Sequence, residues 1–206
     1  MFAKASDAIT EAMIQNHAIK EEDRELYRYG VQQCLLAILN ICTYILIGVV
    51  CKVFWQSVVF IIAYIPLRHY AGGFHAKTPV RCYLYSIVLI TAAFLAIRFI
   101  PWTNLICGLI LLLNLICVLI LSPVESANKR LDSIEKRVYR KRSYLIAASE
   151  ISIAFVCMVI GQSCFAISFA VETLLISVML IGGEMCNRIA GQKGSGQVAS
   201  YRNNRP

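Results

Sequence analysis

Long apolar runs constrain the fold of this chain more than any other feature of its sequence. They cover residues 31–51, 53–67, 83–100, 105–121 and 144–186, and short polar segments separate them. An α-helix rises about 1.5 Å per residue, so roughly 20 residues cross the hydrocarbon layer of a bilayer. The last run is about twice as long as one crossing requires, and Gly161-Gln162-Ser163 near its middle favours a turn. We therefore divide it into spans 144–160 and 164–186.

These runs predict an all-α polytopic membrane protein with six transmembrane helices. The composition agrees, because 58% of the residues are hydrophobic and only 16% are charged, whereas soluble domains are roughly 45–50% apolar and about 25% charged. Six spans use up most of the 206 residues, so we expect a single integral-membrane domain over residues 1–206. The run 53–67 is short for a span and has to borrow residues from its flanks or thin the bilayer locally.

The distribution of basic residues predicts the orientation in the membrane. If the N-terminus is cytoplasmic, residues 1–30, 68–82, 122–143 and 187–206 lie on that side and hold 18 of the 20 lysines and arginines. Cytoplasmic segments of membrane proteins are enriched in these residues, so we expect both termini in the cytoplasm. The net charge of +8 then reflects topology and anionic lipid headgroups, and it does not indicate nucleic-acid binding.

Residues 1–29 carry many charges and are not a span. Phe2, Ile9 and Met13 fall near one face of a helix and charged residues fill the other face. This pattern predicts an N-terminal amphipathic helix that lies in the membrane interface. A solvated N-terminal arm is the alternative.

The polar segment 68–82 has the composition of a reactive loop, with the sequence RHYAGGFHAKTPVRC. Thr78 followed by Pro79 predicts a helix start, with threonine as N-cap and proline at the first helical position. Cys82 then lies at the first turn, where unpaired N–H groups and the nearby cations Arg68 and Arg81 favour the nucleophilic thiolate. Of the nine cysteines, Cys82 is therefore the one placed for reactivity.

His75 precedes Cys82 by seven residues, in the loop that leads into the predicted helix. A thiolate and an imidazole are sufficient for covalent acyl transfer, because the thiolate attacks a carbonyl and the imidazolium protonates the leaving amine. Gly72 and Gly73 permit unusual backbone angles, and their N–H groups are candidates for stabilising an oxyanion. Arg68 is a candidate for binding a substrate carboxylate or the oxyanion.

Other interpretations of these residues stay open. A cysteine and a histidine seven positions apart also occur by chance, and His69 fits an interfacial side chain. Zinc binding by His69, His75 and Cys82 lacks an evident fourth ligand and any Cys-x-x-Cys pair, so we predict no metal site.

Two further classes of function compete with an enzyme. Glu150 and Glu172 fall within the last two spans, where a carboxylate faces the bundle interior or water, and they are candidates for lining the pathway of a small peptide transporter or exporter. Glu184 lies at the predicted cytoplasmic end of the last span, where it is a candidate for orienting His75. A scaffold that docks an acidic partner through the basic loop is the third possibility.

The motif Arg68-x3-Gly72-Gly73-x-His75-x6-Cys82 closely resembles that of the accessory gene regulator B (AgrB) family of membrane cysteine endopeptidases. The second polar loop also resembles a family element, since it contains Pro123-x-Glu125-x-x-Asn128-Lys129 followed by Arg130. Length, six spans and basic character fit as well, so the resemblance covers nearly the whole chain.

The resemblance implies a specific activity in a bacterial cell membrane. Family members cleave the acidic C-terminal part from a short AgrD-like propeptide and close the remainder into a thiolactone autoinducing peptide for quorum sensing. By this resemblance Cys82 is the nucleophile and His75 the general base and acid, without a cofactor. The resemblance also suggests a homodimer. The remaining motif residues would support substrate binding or the transition state, and they are Arg68, Gly72, Gly73, Glu125, Asn128, Lys129 and Arg130.

Overall fold

The structure is a computed structural model that describes residues 2–74, 78–125 and 131–203. These residues contain seven α-helices and one short 3-10 helix, Glu21–Asp23. The α-helices are α1 (Phe2–Gln15), α2 (Arg24–Val50), α3 (Phe54–Ala71), α4 (Pro79–Phe99), α5 (Asn104–Leu121), α6 (Ser133–Val159) and α7 (Ser163–Asn203). No strand occurs among the residues described, which confirms the predicted all-α class. The chain separates into two compact units, residues 1–47 and 48–206, and the single domain over 1–206 stays a prediction.

Among the described residues, five helices are long and apolar enough to cross a membrane. They are α2 with the turn before it, α4, α5, α6 and α7. The helix α3 covers the predicted span 53–67, but its last turns contain Pro66, Arg68 and His69, which lower its hydropathy. The described part of the chain is therefore that of a multi-pass membrane protein, and the count of six spans stays a prediction.

Several helices extend beyond the predicted spans. The first apolar helix begins at Arg24, before the predicted span 31–51. The helix α6 begins at Ser133, inside the segment 122–143 that the sequence assigns to a loop, because Asp132 and Glu135 form a capping box. The helix α7 continues to Asn203, past the predicted span end at residue 186. Polar and charged segments extend these helices beyond their apolar parts, and an apolar run does not predict how far the helix continues into such a segment.

In the unit formed by residues 1–47, ion pairs join α1 to the start of α2. A carboxylate oxygen of Glu11 lies 2.9 Å from Arg24, and one of Asp7 lies 3.5 Å from Arg28. Ser6 and Thr10 of α1 are buried, whereas Ile9 is 41% exposed. The predicted N-terminal helix is thus present, and its location in the membrane interface stays a prediction.

The helix α7 is the central helix of the unit formed by residues 48–206. It packs against α3, α4, α5 and α6. In its most apolar stretch 67% of the residues are buried, compared with 22% in α4, α5 and α6. Burial of side chains from several helices against one helix fixes that helix in place, so α7 can position whatever contacts it.

A close approach of α2 and α3 depends on Gly48. A methyl group at this position would overlap the Ser57 hydroxyl and come within 2.5 Å of its Cβ. Ser57 is fully buried and its hydroxyl donates to the Phe54 carbonyl over 2.7 Å, so the serine cannot move aside easily. The absence of a side chain at Gly48 therefore permits the contact.

We predict that Gly48→Ala lowers the free energy of unfolding by about 1–3 kcal/mol through overpacking. Gly108→Ala in α5 is the matched control, because nothing lies within 4 Å of the added methyl group. The control should be neutral or stabilising by up to about 1 kcal/mol. Thermal unfolding of both variants in detergent measures the difference. Equal stability of the two variants would contradict the prediction, whereas recovery in Gly48→Ala/Ser57→Gly would support it.

Candidate active site

The two polar segments singled out in the sequence meet in the structure. Gly72 and Val124 form an isolated parallel β-bridge. The Val124 N–H donates to the Ala71 carbonyl over 2.9 Å, and the Gly73 N–H donates to the Val124 carbonyl over 3.2 Å. The start of the second polar loop therefore holds the glycines of the first one.

On its other side the first loop is held by α7. The Phe74 N–H donates to the Met179 carbonyl over 2.8 Å. A methyl group at Gly183 would lie 2.7 Å from both the Gly73 carbonyl carbon and the Phe74 nitrogen. Gly73 has a φ of 115°, a conformation that side-chain-bearing residues rarely adopt. The loop thus lies directly on the helix because both surfaces lack side chains there.

Arg68 fixes the same loop from the end of α3. Its guanidinium group donates to the carbonyls of Gly72 and Phe74. A planar guanidinium can bind two carbonyls at once, so this side chain sets the curvature of the loop between them. The structure engages Arg68 with the loop backbone, and its predicted binding of a substrate carboxylate or an oxyanion stays a prediction.

The N–H groups of the double glycine are also engaged. Gly72 donates to the Arg68 carbonyl over 3.3 Å and Gly73 donates to Val124. Both donors have partners in this arrangement and help to shape the loop, and the stabilisation of an oxyanion by them stays a prediction.

Cys82 lies at the start of α4, as the Thr78-Pro79 signal predicts. Thr78 is the N-cap, and its hydroxyl accepts a hydrogen bond from the Arg81 N–H over 3.4 Å. The Cys82 N–H donates to the Thr78 carbonyl over 3.0 Å, which closes the first helical turn. The cysteine is half-buried and lies in the first turn of the helix, in the positive field of the helix N-terminus.

An aromatic contact joins the loop to the helix that carries the cysteine. The rings of Phe74 and Tyr85 lie edge to face with their centroids 5.8 Å apart. Tyr85 follows Cys82 by three residues in α4, so the two side chains are neighbours on one helix face. His75 lies outside the described residues, but it is covalently next to Phe74. The aromatic contact therefore places Phe74 beside the face of α4 that bears Cys82.

Glu125 organises the second polar loop. Its carboxylate lies 2.9 Å from the Lys136 ammonium and accepts from the Leu131 N–H over 3.1 Å. Its carbonyl accepts from the Asn187 side chain over 2.8 Å. Asn128, Lys129 and Arg130 lie outside the described residues. Glu125, predicted to support substrate binding, thus makes contacts that hold the two ends of this loop and the end of α7 together.

Beside the loop, His69 and Tyr70 at the end of α3 contact the basic part of α6. The Tyr70 ring lies 4.8 Å from the His69 ring and 5.4 Å from the Tyr139 ring. An Arg142 nitrogen donates to the Tyr70 hydroxyl over 2.7 Å. His69, predicted to be an interfacial side chain, therefore belongs to an aromatic and basic cluster. Glu184 pairs with Arg188 over 2.9 Å, and its predicted contact with His75 stays a prediction.

Sequence reasoning misses the residues that hold the loop from a distance, namely Tyr85, Val124, Met179, Gly183 and Asn187. Only Gly183 has a usable signal, because paired glycines inside an apolar helix indicate that another segment comes close. The other four are ordinary residues in their local context.

The fold and the site define a multi-pass helical membrane protein with a cysteine at a helix start beside a clamped glycine loop. The accessory gene regulator B family model matches residues 6–180, and the chain belongs to this family. Putative AgrB-like protein 2 of Clostridium perfringens (strain 13 / Type A) is 23% identical over 152 residues, which cover 70% of this chain and 71% of that protein. No solved structure matches the chain. Family membership connects the chain with propeptide processing in quorum sensing.

We predict that Gly183→Ala displaces the loop from α7 and lowers propeptide cleavage about a hundredfold, since a misplacement of about 1 Å costs that much in a positioned reaction. Gly182→Ala is the matched control, because its methyl group would meet only the Phe74 Cβ at an ordinary 3.9 Å. Initial cleavage rates in proteoliposomes, with expression and helix content checked, measure the effect. Equal rates in the two variants would show that the contact with Gly183 does not position the loop.

Proposed function

We propose that this protein is a membrane-embedded cysteine endopeptidase that cleaves an AgrD-like propeptide through an acyl-Cys82 thioester. The single observation that supports this most strongly is the contact between Phe74 and Tyr85 at 5.8 Å. It places Phe74, the residue that directly precedes His75, beside the face of α4 that carries Cys82. Family membership supports the same assignment.

In the first step the Cys82 thiolate attacks the carbonyl carbon of the scissile peptide bond. The carbon–nitrogen bond breaks, and His75 in its protonated form gives a proton to the leaving amine. The acidic C-terminal fragment departs and the N-terminal part of the propeptide remains as a thioester on Cys82. His75 first takes this proton from the Cys82 thiol and later gives it to the amine.

In the second step a cysteine of the bound propeptide attacks the thioester. One carbon–sulfur bond forms as another breaks, so the ring closes to a thiolactone and Cys82 is released. The step replaces one thioester with another, so the bond energy changes little and no external energy source is needed. Because the attacking thiol is held on the same peptide, proximity favours cyclisation over hydrolysis.

The remaining site residues have positioning roles in this proposal. Arg68 holds the carbonyls of Gly72 and Phe74, which keeps the loop curved toward α4. Glu125 holds the second loop by its ion pair with Lys136. Asn128, Lys129 and Arg130 follow in that loop and are proposed to bind the acidic part of the propeptide, since cationic side chains attract carboxylates.

The site is proposed to lie at the cytoplasmic face of the bacterial cell membrane. Six spans with both termini inside place residues 68–82 and 122–143 on that side, and their basic residues favour anionic headgroups. In this topology α3 also crosses the membrane and, together with the five helices named above, brings the number of spans to six. A homodimer is the proposed assembly.

Cys82→Ala is expected to abolish cleavage and adduct formation. Purified protein is incubated in lipid with propeptides that end in an acidic segment, and intact mass is recorded. Wild type should gain the mass of the N-terminal fragment in a bond that hydroxylamine cleaves. Cys186→Ala is the control, because Cys186 is more exposed than Cys82 but is not at a helix start, so the variant should leave the adduct unchanged. Cleavage by Cys82→Ala at the wild-type rate would refute the cysteine mechanism.

Arg68→Lys separates a positioning role from substrate binding. A lysine ammonium lacks the planar fork that binds two carbonyls, so we expect kcat to fall by about ten- to a hundredfold with KM nearly unchanged. The rates are measured for a propeptide with its acidic residues and for one with these replaced by amides. A KM increase restricted to the acidic propeptide would instead indicate that Arg68 binds a substrate carboxylate.

A further inference from the structure

Two glutamates lie in the interior of the unit formed by residues 48–206. Glu150 of α6 and Glu172 of α7 are 4% and 0% exposed. The helices α6 and α7 that carry these two residues pack against each other. On α6, Ala147 and Ala154 flank Glu150 at 1% and 0% exposure, so the carboxyl group is enclosed where α6 packs against its neighbours.

Neither carboxyl group has a hydrogen-bond partner within the part of the chain that the structure describes. This holds for both oxygens of both residues. Thr173, next to Glu172, donates to the carbonyls of Phe169 and Ala170 and accepts from the Asn114 side chain over 3.2 Å. The nearest hydroxyl along α7 is therefore used elsewhere.

No basic side chain compensates the pair either. The buried residues described include no lysine, arginine or histidine. The titratable groups that the packed helices bring into the core are Tyr64 of α3, which donates to the Met179 sulfur over 3.4 Å, and the thiols Cys107 and Cys117 of α5. The cations of these helices lie toward helix ends. Arg68 and His69 are in the last turn of α3, Arg81 is near the start of α4 and Arg98 is in its last turn. The cations of α6 fall within residues 136–142, in its first turns.

Two buried ionised carboxylates without donors or counter-charges are strongly unfavourable in a membrane interior. Protonation of a carboxyl group removes its charge and this cost. Two carboxyl groups also provide fewer oxygen ligands than a bound calcium or magnesium ion takes. We propose that Glu150 and Glu172 form a proton-binding site in the bundle core, occupied by at least one proton at neutral pH.

This site has a consequence for the central helix. The neutral pair permits α6 to pack closely on α7, and α7 carries the Met179 carbonyl that accepts from Phe74. Glu172 precedes Met179 by two helical turns. The proton therefore maintains the packing of the helix that holds the loop.

Infrared spectroscopy of the protein in lipid bilayers tests the proposal directly. At neutral pH the wild type should show the carbonyl stretch of a protonated carboxylic acid, with a downshift in D2O. The band should lose most of its intensity in Glu150→Gln/Glu172→Gln. Glu184→Gln is the matched control, because Glu184 is a partly exposed glutamate with an ion-pair partner, and the band should persist in it.

Two results would overturn the proposal. One is the absence of the band in wild type at neutral pH, together with carboxylate bands that respond to added sodium, potassium or magnesium, which would show an ionised pair that holds a cation. The other is a band of undiminished intensity in a folded Glu150→Gln/Glu172→Gln variant. The single variants Glu150→Gln and Glu172→Gln, with helix content checked, give the same test if the double variant does not fold, and the D2O shift of wild type requires no variant.

Discussion

The hydrogen bond from the Phe74 N–H to the Met179 carbonyl is the interaction on which the arrangement of the site depends. Buried backbone N–H and C=O groups need hydrogen-bond partners. The segment after α3 finds them in the Arg68 carbonyl, in Val124 and in α7. These bonds hold the loop as far as Phe74, whose ring lies beside the face of α4 that carries Cys82.

Glycine makes this path possible at three points. Gly72 and Gly73 take positive φ angles of 74° and 115°, and Gly183 lets their backbone approach α7 within the reach of a hydrogen bond. Arg68 then donates hydrogen bonds to two carbonyls of the loop, those of Gly72 and Phe74. The loop is thus held by α7 on one side and by Val124 on the other, which gives it the precision that the proposed acyl transfer needs.

The central helix connects the site with the interior of the bundle. Its polar residues differ in how they are satisfied, since Thr173 bonds to Asn114 while Glu172 has no partner among the described residues. A helix that contacts four others transmits changes in its own packing to everything it holds. The proton site and the clamped loop are thus properties of the same helix.

The sequence by itself determined the membrane class, most of the apolar helices, the helix start at Thr78 and the identity of Cys82 as the reactive candidate. These are local properties, because hydropathy, capping and the field of a helix N-terminus depend on residues within one or two turns. Only the tertiary structure decided that Arg68 donates to the loop carbonyls, that Val124, Met179 and Gly183 hold the loop, and that Glu150 and Glu172 are both buried. Each of these contacts joins helices or loops whose separation along the chain leaves no local pattern, and their packing alone selects the partners.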